Sequence, residues 1–342
     1  MKTAIILFNL GGPDRPEVIK KFRVNLFSDK AIIRAPWFIR IWLSRLIAGM
    51  SARTAIENYK LIGGKSPLLA LTQKQAAALE ASLGDGYRCF IAMRYWHPFA
   101  DETVRDVKDW APDRVVLLPL YPQFSTTTTG SSLTDWRAAA AKAGLVTNVT
   151  SICCWFDDPA YISAISAMVR AAINTAKTKN PQVKLRVLFS AHGLPEIIVK
   201  KGDPYQAQIE ATCKAVMARL TDMGVESEIC YQSRATPQKW LEPNIVDSIK
   251  QAGKEGIGVI VMPIAFVSDH IETLVELDIE NRHLAEQSGV PVYIRAAVAN
   301  DDPDFIAALA GIVRRSGENG LCRGGSACGT HKDCPWETMI ET

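Results

Sequence analysis

The chain has 342 residues, 48% hydrophobic and 22% charged, the proportions of a globular protein long enough for two domains or one large α/β unit. Its formal charge of +3 gives no compositional reason to expect nucleic acid as a partner. No run reaches the roughly 18 uninterrupted apolar residues of a membrane-spanning helix.

The first apolar run, Thr3 to Leu10, ends in Gly11-Gly12-Pro13 without a small-residue cleavage site. It reads as a first strand and not as a signal peptide, so a cytoplasmic location is expected and disulfides are not. The eight cysteines are then core residues, reactive thiols or metal ligands. Further strands are predicted at 88–93, 114–120, 146–154, 184–190, 226–231, 258–264 and 292–295. Amphipathic helical stretches lie between them at 73–83, 161–176, 205–223 and 271–287. This alternation predicts parallel sheets with right-handed crossovers. The polar stretch Lys177–Val183, with Asn180-Pro181, is the expected boundary. It gives a first half at 1–178, a second at 179–320 and a cysteine-bearing tail at 321–342.

The halves look alike in outline. Thr3–Leu10 matches Arg186–Ser190, Arg94 with Pro98 matches Arg234 with Pro237, and Val115–Pro119 matches Val259–Pro263. Two doubly wound α/β domains are expected, with ligand at the carboxyl ends of the strands in the cleft between halves. Chance likeness of generic strand ends is the rival reading.

Several residues suit chemistry. Arg40 and Arg45 punctuate the apolar, aromatic segment Trp37–Ile47, and Arg34 flanks it. It reads as a core helix, or as an exposed lip for an apolar substrate or a bilayer surface. Arg94-Tyr95-Trp96-His97-Pro98 ends a strand; the arginine suits a carboxylate and the aromatics a flat ring, or the segment simply packs. His192 follows a continuous apolar run and precedes Gly193, as a base or ligand at a strand end or a turn histidine. Ser268-Asp269-His270-Ile271-Glu272 opens a helix on which Glu272, Glu276 and Glu280 share a face. The bland alternative is a capping box on a solvated acidic face. Ile62-Gly63-Gly64-Lys65-Ser66-Pro67 lacks the spacing of a phosphate-binding loop.

Taken together, these segments resemble the ferrochelatase family. The blocks that carry the likeness are Phe8–Pro13, Tyr59 with Ile62–Pro67, Arg94-Tyr95 with His97-Pro98, and Tyr121–Ser125 with Thr128–Ser131. They continue through Ser190–Pro195, Tyr231–Arg234 with Trp240-Leu241, and Pro263–Leu274 with Glu276–Asp278. The resemblance implies two Rossmann-like halves of chelatase type and a lyase that inserts ferrous iron into protoporphyrin IX in haem biosynthesis. It implies His192 and Glu272 at the metal-insertion site, Glu276 next on an acidic path, and Asp269 and His270 as neighbours. Tyr59, Ser66, Arg94, Tyr95 and Trp240 become porphyrin contacts.

The tail places Cys322, Cys328 and Cys334 at C-x5-C-x5-C. The resemblance implies a 2Fe–2S cluster on these three and one internal thiolate, Cys154, with Cys153, Cys213 and Cys230 as rivals. Zinc completed by His331, or free thiols, are the other readings. The lip points to peripheral contact with the inner face of a membrane; the chain reads as a monomer or a homodimer. Alternatives to ferrochelatase are a related chelatase using coproporphyrin III, cobalt or nickel, a porphyrin or haem carrier, and a metallohydrolase using His192, His270 and Glu272. A carrier would not need the acidic face.

Overall fold

The structure, a computed structural model, describes residues 1–234 and 238–318. Contacts divide the chain into two units, Met1–Trp155 together with the chain from Leu309, and Phe156–Ala308. The first contains β1 (Thr3–Asn9), α1 (Ile19–Phe27), α2 (Trp37–Met50), α3 (Ala52–Leu61), α4 (Leu68–Leu83) and β2 (Tyr87–Met93). It continues with α5 (Ala100–Trp110), β3 (Arg114–Pro119), α6 (Ser131–Ala143) and β4 (Asn148–Ser151). The second contains α7 (Pro159–Lys179), β5 (Leu185–His192), α8 (Glu196–Lys200), α9 (Tyr205–Ala218), β6 (Glu226–Gln232), α10 (Ile245–Glu255), β7 (Gly258–Pro263), α11 (Asn281–Gln287) and β8 (Tyr293–Arg295). A last helix, α12 (Pro303–Glu318), begins in the second unit and ends in the first.

Each unit has one four-stranded sheet, with orders β2-β1-β3-β4 and β6-β5-β7-β8, and every strand pair is parallel. Two of the central strands are buried along their whole length, every residue of β1 and of β7. Such strands, covered on both faces by helices, are read from sequence as unbroken apolar runs. The division at Trp155 falls earlier than the boundary expected at 178. The reason is α7, which packs on β7, β8 and α9 and buries Ile165, Val169, Ile173 and Ala176 there. Asp158 starts that helix by accepting the N–H groups of Ala160 and Tyr161, with Pro159 at its first position. The chain from Leu309 groups with the first unit, where Arg114 donates to Ser316 and Arg314 to the Ser82 carbonyl. The expected tail segment, 321–342, lies outside the described residues.

Register makes the internal repeat explicit. Phe8 pairs with Ala92 and Pro119, and Ser190 pairs with Cys230 and Pro263, so Phe8 and Ser190 are counterparts. Met93 and Tyr231 then correspond, and their N–H groups donate to the Pro98 and Pro243 carbonyls at 2.7 and 2.9 Å. Pro98 therefore matches Pro243 and not Pro237, and Arg94 matches Gln232 and not Arg234. The second unit carries a longer connection after β6, which displaced the sequence matching.

The stretch 271–287, expected as one α-helix, is a π-helix over Glu272–Glu280 followed by α11. A shorter π-helix, Thr126–Gly130, precedes α6 in the first unit. Wide i→i+5 turns are rare and concentrate at functional sites. The longer one is held at both ends by Arg295, at the end of β8. Its guanidinium meets Asp278 at 2.8 and 2.9 Å and Asp269 at 3.2 Å, with a side chain only 12% exposed. Removing one partner from a buried pair costs about 3–5 kcal/mol, because the other charge stays behind. Arg295→Met is expected to lower unfolding stability by about 3 kcal/mol, read as a fall in denaturant midpoint; an unchanged midpoint would show that the clamp is not structural.

Candidate active site

His192 is the last residue of β5, where the chain leaves the sheet. Gly193 follows because the backbone approaches too closely for a side chain: an added Cβ would lie 2.9 Å from the Gln232 carbonyl oxygen and 3.1 Å from the Trp240 ring. Gly193 N–H donates to that same carbonyl at 2.8 Å. Tyr205 donates its hydroxyl to the His192 carbonyl at 3.1 Å. The strand end is thus fixed from both sides.

The imidazole meets the π-helix. His192 Nδ1 lies 3.0 Å from Glu272 Oε2, and His270 Nε2 lies 3.6 Å from the same oxygen. His270 Nδ1 faces the Ser268 carbonyl at 3.2 Å, which orients that ring. Phe266 packs at a tilt against His270, 4.4 Å between centroids, and lies edge-on to His192 at 6.5 Å. Glu276, one turn further on, accepts from Gln232 Nε2 at 3.1 Å, Ser233 N–H at 3.1 Å and Ser233 Oγ at 2.5 Å. Successive turns of the π-helix therefore face the ends of two adjacent strands, β5 and β6. Glu280 continues the stripe as an exposed residue.

The electrostatics follow from this placement. Burial opposes a charged imidazole, but the Glu272 carboxylate, with Glu276 behind it, outweighs that and raises the His192 pKa. Burial also opposes a charged Glu272; the charge and hydrogen bond of His192, with those of His270, hold it well below the usual carboxylate range. Burial and the neighbouring Glu272 raise Glu276, against the donors of Ser233 and Gln232. Two carboxylates in one site are pushed apart, the arrangement expected of groups that exchange protons.

The capping-box alternative does not describe this helix. Asp269 Oδ1 accepts from Thr273 Oγ1 at 2.9 Å and Oδ2 from Asn300 Nδ2 at 2.9 Å, while Arg295 pairs with it. Glu272 turns to His192 instead of to the backbone. Among the described residues, no group of three or more His, Cys, Asp or Glu side chains is arranged as a metal cage.

The other expected contacts lie in different surroundings. Trp240, 7% exposed, covers Gly193 and pairs with Pro195. In the first unit Tyr95 is 2% exposed and donates to Asp29 Oδ2 at 2.8 Å. Arg94 binds the same carboxylate oxygen at 3.0 Å and Ser131 Oγ at 2.6 Å, and Ser131 also donates to Asp29. Burial and Asp29 keep the Tyr95 hydroxyl protonated. Tyr59 is 5% exposed in α3, and Ser66 packs over Gly12, with its N–H donating to the Pro13 carbonyl. Arg94 and Tyr95 are thus committed to protein partners. Sequence reasoning missed Asp29, Phe266, Arg295 and Asn300. Phe266, an aromatic residue just after a strand-ending proline, carried a signal; buried Asp29 carried none.

The chain is similar to known proteins over almost its whole length. The sequence profile described as Ferrochelatase matches residues 2–317. Ferrochelatase of Caulobacter vibrioides is 49% identical over 98% of this chain and 96% of its own. That of Phenylobacterium zucineum is 49% identical over 93% of each. Among solved structures, SirB from Bacillus subtilis with Fe3+ superposes with a TM-score of 0.54 at 14% identity, covering 93% of this chain and 97% of that one. The sirohydrochlorin chelatase SirB of the spizizenii subspecies, in complex with cobalt, gives 0.52 at 13%, with the same coverage. At such identities the likeness concerns the fold, two parallel α/β sheets. With the profile spanning almost the whole described chain and relatives at half identity end to end, this chain belongs to the ferrochelatase family.

Proposed function

We propose that the chain carries out its family's reaction, insertion of ferrous iron into protoporphyrin IX, through His192, Glu272 and Glu276. The observation that carries this reading is the Glu272 carboxylate set between two imidazoles, with Glu276 one turn behind it. The reaction releases two pyrrole protons, and Fe2+ takes their place within the macrocycle. Nδ1 of His192 faces Glu272, so Nε2 is the nitrogen that accepts a pyrrole proton. Glu272 orients the ring and stabilises the imidazolium that results. Glu276 receives or relays protons next. Imidazole and carboxylate also suit a transient hold on the ferrous substrate, so His192 and Glu272 serve as its contacts, with Asp269 and His270 beside them. For Tyr59, Ser66, Arg94, Tyr95 and Trp240 the proposed part is to fix the loops of the porphyrin site. His192→Ala is expected to stay folded and bind porphyrin but to abolish insertion, followed by absorbance under anaerobic conditions. Insertion within a few-fold of the unaltered protein would remove His192 from the mechanism, and porphyrin binding without turnover in the unaltered protein would favour a carrier.

The exposed face of α2 supports a peripheral membrane contact, although among the described residues no helix is long and apolar enough to cross a bilayer. Trp37, Phe38, Trp42 and Met50 are 68%, 58%, 63% and 78% exposed, while the buried positions are the small Ser44 and Ala48. Arg40 is turned inward to the Ser28 and Ala35 carbonyls. Aromatic side chains on an outward face suit the headgroup boundary, where a membrane-borne apolar porphyrin would be met. Replacing both Trp37 and Trp42 with serine is expected to weaken cosedimentation with anionic vesicles; unchanged binding would place the contact elsewhere.

A 2Fe–2S cluster is proposed on Cys322, Cys328, Cys334 and Cys154. The three tail cysteines lie outside the described residues, and support rests on their spacing and on the need for four thiolates. Cys154, 8% exposed just after β4, is the internal ligand that this reading takes. Such a cluster would anchor the tail. Anaerobically purified protein is expected to contain iron and sulfide in equal amounts and to bleach when any tail cysteine becomes serine; zinc without sulfide would contradict this.

A further inference from the structure

Three described residues other than glycine have positive φ: Ala111, Ser233 and Asn300. Ala111 ends α5, an ordinary place for the left-handed conformation. The other two both serve the long π-helix. Asn300 holds Asp269, just before it, through Oδ1 to the Asp269 N–H and Nδ2 to the carboxylate. Ser233, at φ 64°, follows β6 directly and holds Glu276. Backbone strain gathered at one element is a pointer to function.

The geometry explains why the strand turns here. In an extended strand the N–H lies in the plane of the sheet and the side chain stands out of it, so one residue does not present both to one acceptor. At Ser233 the left-handed turn brings N–H to Oε1 and Oγ–H to Oε2 of the same carboxylate. Gln232, fully buried, adds a third donor, and its amide is oriented by Ser190 Oγ at 2.7 Å. The same amide lies 3.4 Å from the Glu272 carbonyl, so it spans both turns of the acidic helix.

We propose that Ser233 is a positioning residue for metal insertion, whose left-handed backbone aims two donors at Glu276 and fixes that carboxylate as acceptor behind the His192–Glu272 pair. This rests on the reading that Glu276 is part of the acidic path. The role separates from a structural one because hydroxyl and backbone preference can be varied independently. Ser233→Gly keeps the N–H and is at ease at positive φ but loses the hydroxyl. Ser233→Thr keeps the hydroxyl but is β-branched, and so is strained there.

The test uses the full-length protein with ferrous iron and protoporphyrin IX, measuring kcat, KM for each substrate and the unfolding midpoint. Ser233→Gly is expected to be at least as stable as the unaltered protein, yet slower in kcat by about tenfold with little change in KM for porphyrin. Ser233→Thr is expected to be less stable but to retain most of kcat. Activity that follows stability across the pair, or full kcat in Ser233→Gly, overturns the proposal. Glu276→Gln separates the two levels. If it is slow while Ser233→Gly runs at full rate, only the role of Ser233 fails; if it runs at full rate, the acidic path fails and the inference with it.

Discussion

The hydrogen bond between His192 and Glu272 joins a strand end to a wide helix, and the remaining features of the second unit are arranged around it. An imidazole and a carboxylate 3.0 Å apart, both only partly exposed, each favour the other's charged form. The pair persists only if the carboxylate is delivered to the end of β5 from a segment that is not part of the sheet. The π-helix does this, and its wide coil is kept in place by Arg295 and Asn300 on one side and by Gln232 and Ser233 on the other. The loop after β5 contributes Gly193, which lets Trp240 and the Gln232 carbonyl close over the strand end.

The same frame appears twice with different chemistry. Both sheets have the order 2-1-3-4, both third strands end in proline, and a π-helix follows each of them. Gln232 in the second unit corresponds to Arg94 in the first, and each braces the segment of its own π-helix: Gln232 through Glu276, Arg94 through Ser131. The first π-helix is a run of hydroxyls, Thr126 to Thr129, and the second is acidic. A shared scaffold thus presents hydroxyls at one strand end and proton-accepting carboxylates at the other.

The strands at the sheet centres were legible because β1, β3 and β7 are short apolar runs between turn residues, and burial leaves little else to choose from. The repeat was legible at β3 and β7, whose strands end alike. It was misaligned after β2 and β6, because the longer second connection carries its own proline, Pro237. Glu272 and Glu276 were found by their spacing of four, which serves an α-helix and a π-helix alike, so the wide turn itself left no trace in the periodicity. Asp29 sits between Ser28 and Lys30 and reads as a solvated turn; only the structure puts it under Tyr95 and Arg94. Arg295 and Asn300 act on the π-helix from positions remote in sequence, and no local pattern ties them to it.

The central claim is that His192 and Glu272 act as one electrostatic unit, and the most direct test is the titration of the His192 ring followed by NMR in the unaltered protein and in Glu272→Gln. The sign is fixed by the pair: a neighbouring carboxylate stabilises the imidazolium, so the ring must give up its proton at a higher pH than free imidazole, whose pKa is about 6.5. Taking away that charge must move the value down. A His192 pKa above the free value that falls in Glu272→Gln is the predicted result; a value at or below the free one in the unaltered protein, or one that does not move on substitution, would contradict the account.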